Sequence, residues 1–73
     1  MKAYYVMYQL NGSWEEPKGI GFLAQNKFEA YDKAVYELIP QKEGKYPYSA
    51  WVHSVTFNNG KHKVFDTFSG KPY

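Results

Sequence analysis

The stretch Asn26-Lys27-Phe28-Glu29-Ala30-Tyr31-Asp32-Lys33-Ala34-Val35-Tyr36-Glu37-Leu38-Ile39-Pro40 reads as the one helix of this chain. Asn26 is a favoured N-cap, and Glu29 stands three residues on, where a capping-box side chain belongs. Phe28, Tyr31, Val35 and Leu38, joined by Ala34, recur at helical spacing and predict one buried stripe. Glu29 and Lys33 form an i,i+4 pair in the favourable order on the wet face. Pro40 predicts the end, because it lacks an N–H and its ring meets the preceding turn.

On both sides of this helix the periodicity changes from helical to alternating. Lys2 to Leu10 predicts a strand whose even positions, Tyr4, Val6, Tyr8 and Leu10, are all apolar. Asn11-Gly12 predicts a tight turn, and Ser13 to Lys18, with Pro17, an irregular hairpin arm. Gly19 to Gln25 predicts a second strand, with Ile20, Phe22 and Ala24 on one face.

After the helix, Gln41 to Tyr48 predicts a loop carrying Gly44 and Pro47, and a second hairpin turns on Asn59-Gly60. A two-residue loop there stacks Phe57 on His62, Val55 on Val64, His53 on Asp66 and Trp51 on Phe68 as the core side. The other side then pairs Thr56 with Lys63, Ser54 with Phe65 and Val52 with Thr67. A three-residue loop with a bulge at Gly60 would instead set Val55 against Lys63; the first version keeps apolar residues together and is preferred. Residues 69–73 predict a loose tail.

The expected architecture is α+β: a single small domain over residues 1–73, ordered β-β-α-β-β. One helix packs on one face of a four-stranded antiparallel sheet of order 2-1-3-4. Nothing in the sequence is left to cover the opposite face, and fifteen aromatic residues (eight Tyr, five Phe, two Trp) exceed what one covered face can bury. Tyr4, Tyr8, Phe22, Phe28, Tyr31, Trp51, Phe57 and Phe68 take core positions. Tyr5, Trp14, Tyr36, Tyr46, Tyr48, Phe65 and Tyr73 do not. Truncating Trp51 or Phe28 should therefore cost about 3–5 kcal/mol, while Tyr5 and Phe65 should be dispensable to the fold.

Composition excludes several function classes. The 73 residues include no cysteine, which removes disulfides and thiolate metal sites, and no arginine. No apolar run is long enough to cross a membrane, and Met1-Lys2-Ala3-Tyr4 lacks a leader-like organisation, so a cytoplasmic protein is expected. The formal charge of +2 is uneven: the basic excess lies after residue 39.

Candidate chemistry is sparse. His53 and Asp66 are the only acid–base pair the hairpin would bring together, and no hydroxyl shares their face, so no enzyme is expected. His53 and His62 stand too far apart along one face for a metal, and no cofactor is implied. Gly19-Ile20-Gly21 lacks the context of a phosphate loop. Glu15 and Glu16 beside Trp14 read as a solvated hairpin tip. What remains is a contact surface: Tyr5, Met7 and Phe65 on the open sheet face with Lys61 and Lys63 beside them, joined by Trp14, Tyr46 and Tyr48. A protein partner is the first reading. Single-stranded nucleic acid on the aromatic and lysine face is the second, and a homodimer or cover by the Tyr46–Tyr48 loop are further readings.

The Met-Lys-Ala-x-Tyr opening strand, the short polar turn, the strand into Ala24-Gln25-Asn26-Lys27-Phe28-Glu29-Ala30 and the closing Asn-Gly hairpin together resemble small phage-encoded anti-CRISPR proteins, particularly inhibitors of type I surveillance complexes. The likeness covers most of the chain as a pattern of elements and carries over no functional residue; a strand followed by a capped Glu-Ala helix also occurs in antitoxin-like and other mobile-element proteins. It implies a non-enzymatic inhibitor that occupies a nucleic-acid-facing surface of a host defence complex with lysines and aromatics.

Overall fold

A computed structural model describes residues 1–65. The strands are β1 (Lys2–Gln9), β2 (Lys18–Ala24), β3 (Ser49–Thr56) and β4 (His62–Val64), in one antiparallel sheet of order β2-β1-β3-β4. Between β2 and β3 runs a helical rod on one face of the sheet. It consists of α1 (Lys27–Lys33), a π turn over Ala34–Leu38, and α2 (Ile39–Glu43).

The N-terminus of α1 forms as its sequence dictates. Asn26 Oδ1 accepts from the Glu29 N–H at 2.9 Å, and the Glu29 carboxylate accepts from Gln25 N–H. The other end departs from expectation, because Pro40 does not stop the helix. Ile39 N–H donates to the Ala34 carbonyl five residues back, which widens the turn where a proline ring would otherwise meet the carbonyl four residues before it. The rod continues through Glu43 and ends at Gly44, whose N–H reaches the Pro40 carbonyl.

That wide turn also changes which side chains are buried. Ala30, Ala34 and Ile39 are sealed against the sheet, while Tyr31 and Leu38 are only half-buried. Phe28, expected at the head of the stripe, is 65% exposed. Two alanines at the contact let the rod lie close to the strands. The rest of the core comes from the sheet: Tyr4, Val6 and Tyr8 of β1, Ala24 of β2, and Val52 and Val55 of β3. The Tyr8 hydroxyl donates to Glu43 at 2.5 Å, and Lys18 reaches the same carboxylate at 3.5 Å, which ties the rod's end to β1 and β2.

Neither Asn-Gly pair makes a two-residue turn, since among the described residues none other than glycine takes a positive φ and a type I′ turn needs two. Residues 10–17 instead form a wide loop organised by Glu15, whose carboxylate accepts from the Leu10 and Asn11 N–H groups. Glu15 is therefore a loop cap, not part of a solvated tip. In the second hairpin Gly60 alone adopts the left-handed conformation (φ 88°). Phe57 N–H bonds the Lys61 carbonyl, and Gly60 N–H bonds the Phe57 carbonyl. This three-residue loop pairs Val55 with Lys63 and Ser54 with Val64, so the preferred two-residue register is corrected by one position.

A second irregularity lies inside β3. Tyr5 pairs with Ser54 but Val6 pairs with Val52, which leaves His53 as an extra residue. Val52 and Val55 are three apart and could not share one face of a regular strand; the bulge delivers both to the core. Trp51 is thereby turned to the open face opposite Met7, and Val52 inward, the reverse of the expected assignment. The expected partners Asp66, Thr67 and Phe68, together with Tyr73 and the rest of the 69–73 tail, lie outside the described residues.

Candidate contact surface

The sheet face away from the rod is built by alternation from positions opposite the core residues. β1 supplies Ala3, Tyr5 and Met7, β2 supplies Gly19, Gly21 and Leu23, and β3 supplies Trp51, Ser54 and Thr56 with the bulged His53. From β4 come His62 and Val64. These strand positions include no lysine and no carboxylate. All three lysines on β1, β2 and β4 (Lys2, Lys18 and Lys63) pair with core-side residues and stand on the rod's side.

Tyr5 is the centre of this face. Its ring lies across β2, where a Cβ at Gly19 would collide with the ring's hydroxyl end, so glycine is what lets the tyrosine lie down. Its edge meets the His53 imidazole at 5.9 Å between centroids and 83° between planes. His53 lines two shallow concavities. One, of about 510 Å³, includes Tyr5, Gly21, Leu23, Thr56 and His62; the other, of about 420 Å³, includes Met7, Trp51, Pro17 and Glu15. The His53 Nδ1 is shielded from solvent and makes no hydrogen bond among the described residues. His62 Nδ1 stands 3.0 Å from Thr56 Oγ1.

The residues expected to share one contact surface divide. Tyr5 and Met7 lie on the open face. Phe65 does not: it packs against the core cluster from the rod's side, and Lys63 stands on that side too, exposed, with its ammonium 5.5 Å from the Phe65 ring. Lys61, opposite Phe57 in the loop, continues the same side by alternation. Trp14 stands out from the wide loop at 80% exposure. Tyr46 meets Tyr36 of the π turn at 6.3 Å, so its loop lies along the rod and does not cover the sheet. Tyr48 is exposed just before β3, its N–H bonded to the Gln9 carbonyl. The residues that sequence reasoning missed are Trp51, His53, Leu23 and His62. The signal for Trp51 and His53 was the odd spacing of Val52 and Val55.

No family model, curated protein or solved structure matches this chain. Its site is therefore read from its own geometry. Among the described residues no three His, Asp or Glu side chains gather where they could hold a metal. Phe65 N–H bonds the His53 carbonyl, so Phe65 takes the place opposite His53, and Asp66, the expected partner, lies outside the described residues. No helix among the described residues is long and apolar enough to cross a membrane.

Proposed function

We propose that this chain is a non-enzymatic protein-binding modulator acting in the cytoplasm, and that its contact surface is the open sheet face centred on Tyr5 and Trp51. The carrying observation is that this face presents Tyr5, Met7, Leu23, Trp51 and Val64 while its strands contribute no charged side chain. Interface cores are enriched in aromatics and Met and depleted in charge, and uncovered apolar faces on small proteins mark contact sites. The resemblance to phage-encoded inhibitors supplies the kind of partner: a protein of a host defence complex. Capture from host lysate tests this. Wild-type protein should recover a partner that Tyr5→Ala/Trp51→Ala, still folded by circular dichroism, does not. Recovery of the same partner by the double variant would refute the assignment of the face.

Self-association is the second reading, and the same neutrality favours it. Two copies of a net-positive chain make no lysine-to-lysine contact across a face whose strand positions carry no lysine. Sedimentation equilibrium separates the two: a dimer that Trp51→Ala dissociates would make a second copy the occupant.

A further inference from the structure

Lysine and aromatic side chains do interleave in this molecule, but on the other side of the sheet. We propose that the rim formed by the start of α1 and by β4 binds single-stranded nucleic acid without sequence preference, with Phe28 as the stacking ring and Lys27 and Lys63 as phosphate contacts.

The geometry is specific. Lys27 Nζ lies 5.8 Å from the Phe28 ring centroid and 5.5 Å from that of Phe65. Lys63 Nζ lies 5.5 Å from Phe65 as well, so one ring holds two ammonium groups no further apart than twice that distance. Lys2 stands 5.8 Å from Phe57 at the neighbouring end of β3, and Lys61 lies opposite Phe57 in the hairpin loop. The single ion pair among the described residues, Lys18–Glu43, involves none of these four lysines. Glu29, on the same helical turn, directs its carboxylate back to the Gln25 N–H.

Each part has a role in such a contact. Phe65 is packed against the core and serves as a fixed post that orders both lysines by cation–π attraction. Phe28 is largely free and offers a ring to a base. Clustered cations that make no ion pair among the described residues favour a polyanion, and an exposed ring among them favours one with bases to stack. With no arginine in the chain, bidentate reading of base edges is absent, so binding tolerates any sequence. This rim is separate from the charge-free face proposed for protein contact, and the two sites are tested by different residues.

The test is fluorescence anisotropy with short labelled oligothymidylate and oligouridylate, titrated at several salt concentrations. Binding should weaken with salt at a log–log slope of about −2 to −3, the release expected from three or four phosphate contacts. Phe28→Ala should weaken affinity about 5- to 150-fold, the worth of one base–aromatic stack. Lys27→Ala/Lys63→Ala should flatten the slope by about 1 to 2. Lys42→Ala/Lys45→Ala and Tyr5→Ala/Trp51→Ala should leave both quantities unchanged. Equal affinity for the two oligomers supports the proposal, as does preference for either one if the variants behave as stated. Absence of binding at low salt by folded protein would overturn it. So would an equal loss from the Lys42/Lys45 pair, a loss that follows Tyr5 and Trp51, or polyglutamate binding as tightly with no effect of Phe28→Ala.

Discussion

The π turn makes a quantitative claim about two adjacent residues. In an uninterrupted α-helix the residue one turn beyond Ala30 and Ala34 is Leu38; with the wide turn it is Ile39, which is fully buried while Leu38 is half-exposed. Ile39→Ala removes three carbons, worth about 2.4 kcal/mol at about 0.8 kcal/mol per buried methylene. The cavity it leaves brings the total to about 3–4 kcal/mol. A domain of 73 residues has about 4–11 kcal/mol in all. At about 4–8 °C per kcal/mol, Tm should fall by about 12–30 °C. Leu38→Ala should cost about half as much, because part of its side chain already meets water. Thermal melts followed by circular dichroism, with urea titrations to check that the slope is unchanged, measure both. If Leu38→Ala costs as much as Ile39→Ala, the helix is regular and the placement of the π turn is wrong.

Burial and the bond to Glu43 push the Tyr8 hydroxyl up to about 12 from 10.0. The unfolded chain loses that proton first, so stability should be full below pH 10 and fall as pH rises from 10 to 12, and Tyr8→Phe should flatten that limb of the urea-midpoint profile. At the acid end, the Asn11 N–H, followed by that of Leu10, holds the Glu15 carboxyl below its ordinary value; its contribution should be present above pH 4.5 and disappear as pH falls below it, with Glu15→Gln insensitive to that change. Gly60→Ala places a side chain in the left-handed region and should cost about 1–2 kcal/mol by chemical denaturation. Gly19→Ala should leave stability within about 1 kcal/mol, since alanine suits a strand interior better than glycine. It should nevertheless displace the Tyr5 ring, which loss of the Tyr5–His53 nuclear Overhauser contact would report.

Where a feature rests on local chemistry, the sequence made it legible. The Asn26 cap and the Glu29 side chain behave as their spacing implies, and the even positions of β1 enter the core because a strand's period is fixed at two. The α+β architecture follows from those elements. Of three places where one residue is added to a regular pattern, the π turn and the bulge at His53 were not legible, and the left-handed Gly60 was legible only as the alternative loop that was set aside. Each leaves composition untouched and shifts everything beyond it by one position. Apolar matching across the hairpin favoured the wrong register, because it avoided setting Val55 against Lys63, and that is the pair the structure forms. The candidate surface inherited the slip. Tyr5 was placed correctly, being upstream of all three irregularities, whereas Phe65 and Lys63 were assigned to the open face and stand on the rod's side.

The extra residue at His53 makes this strand tolerant, at that one position, of two kinds of genetic change. Replacing the imidazole alters one side chain on an uncovered face and leaves the valines where they are. Deleting the codon would leave Val52 and Val55 two apart in a strictly alternating strand, so both would still point inward and the register with β1 would run on without a shift. What the extra residue adds is the His53 side chain itself, set where it lines both concavities of the open face.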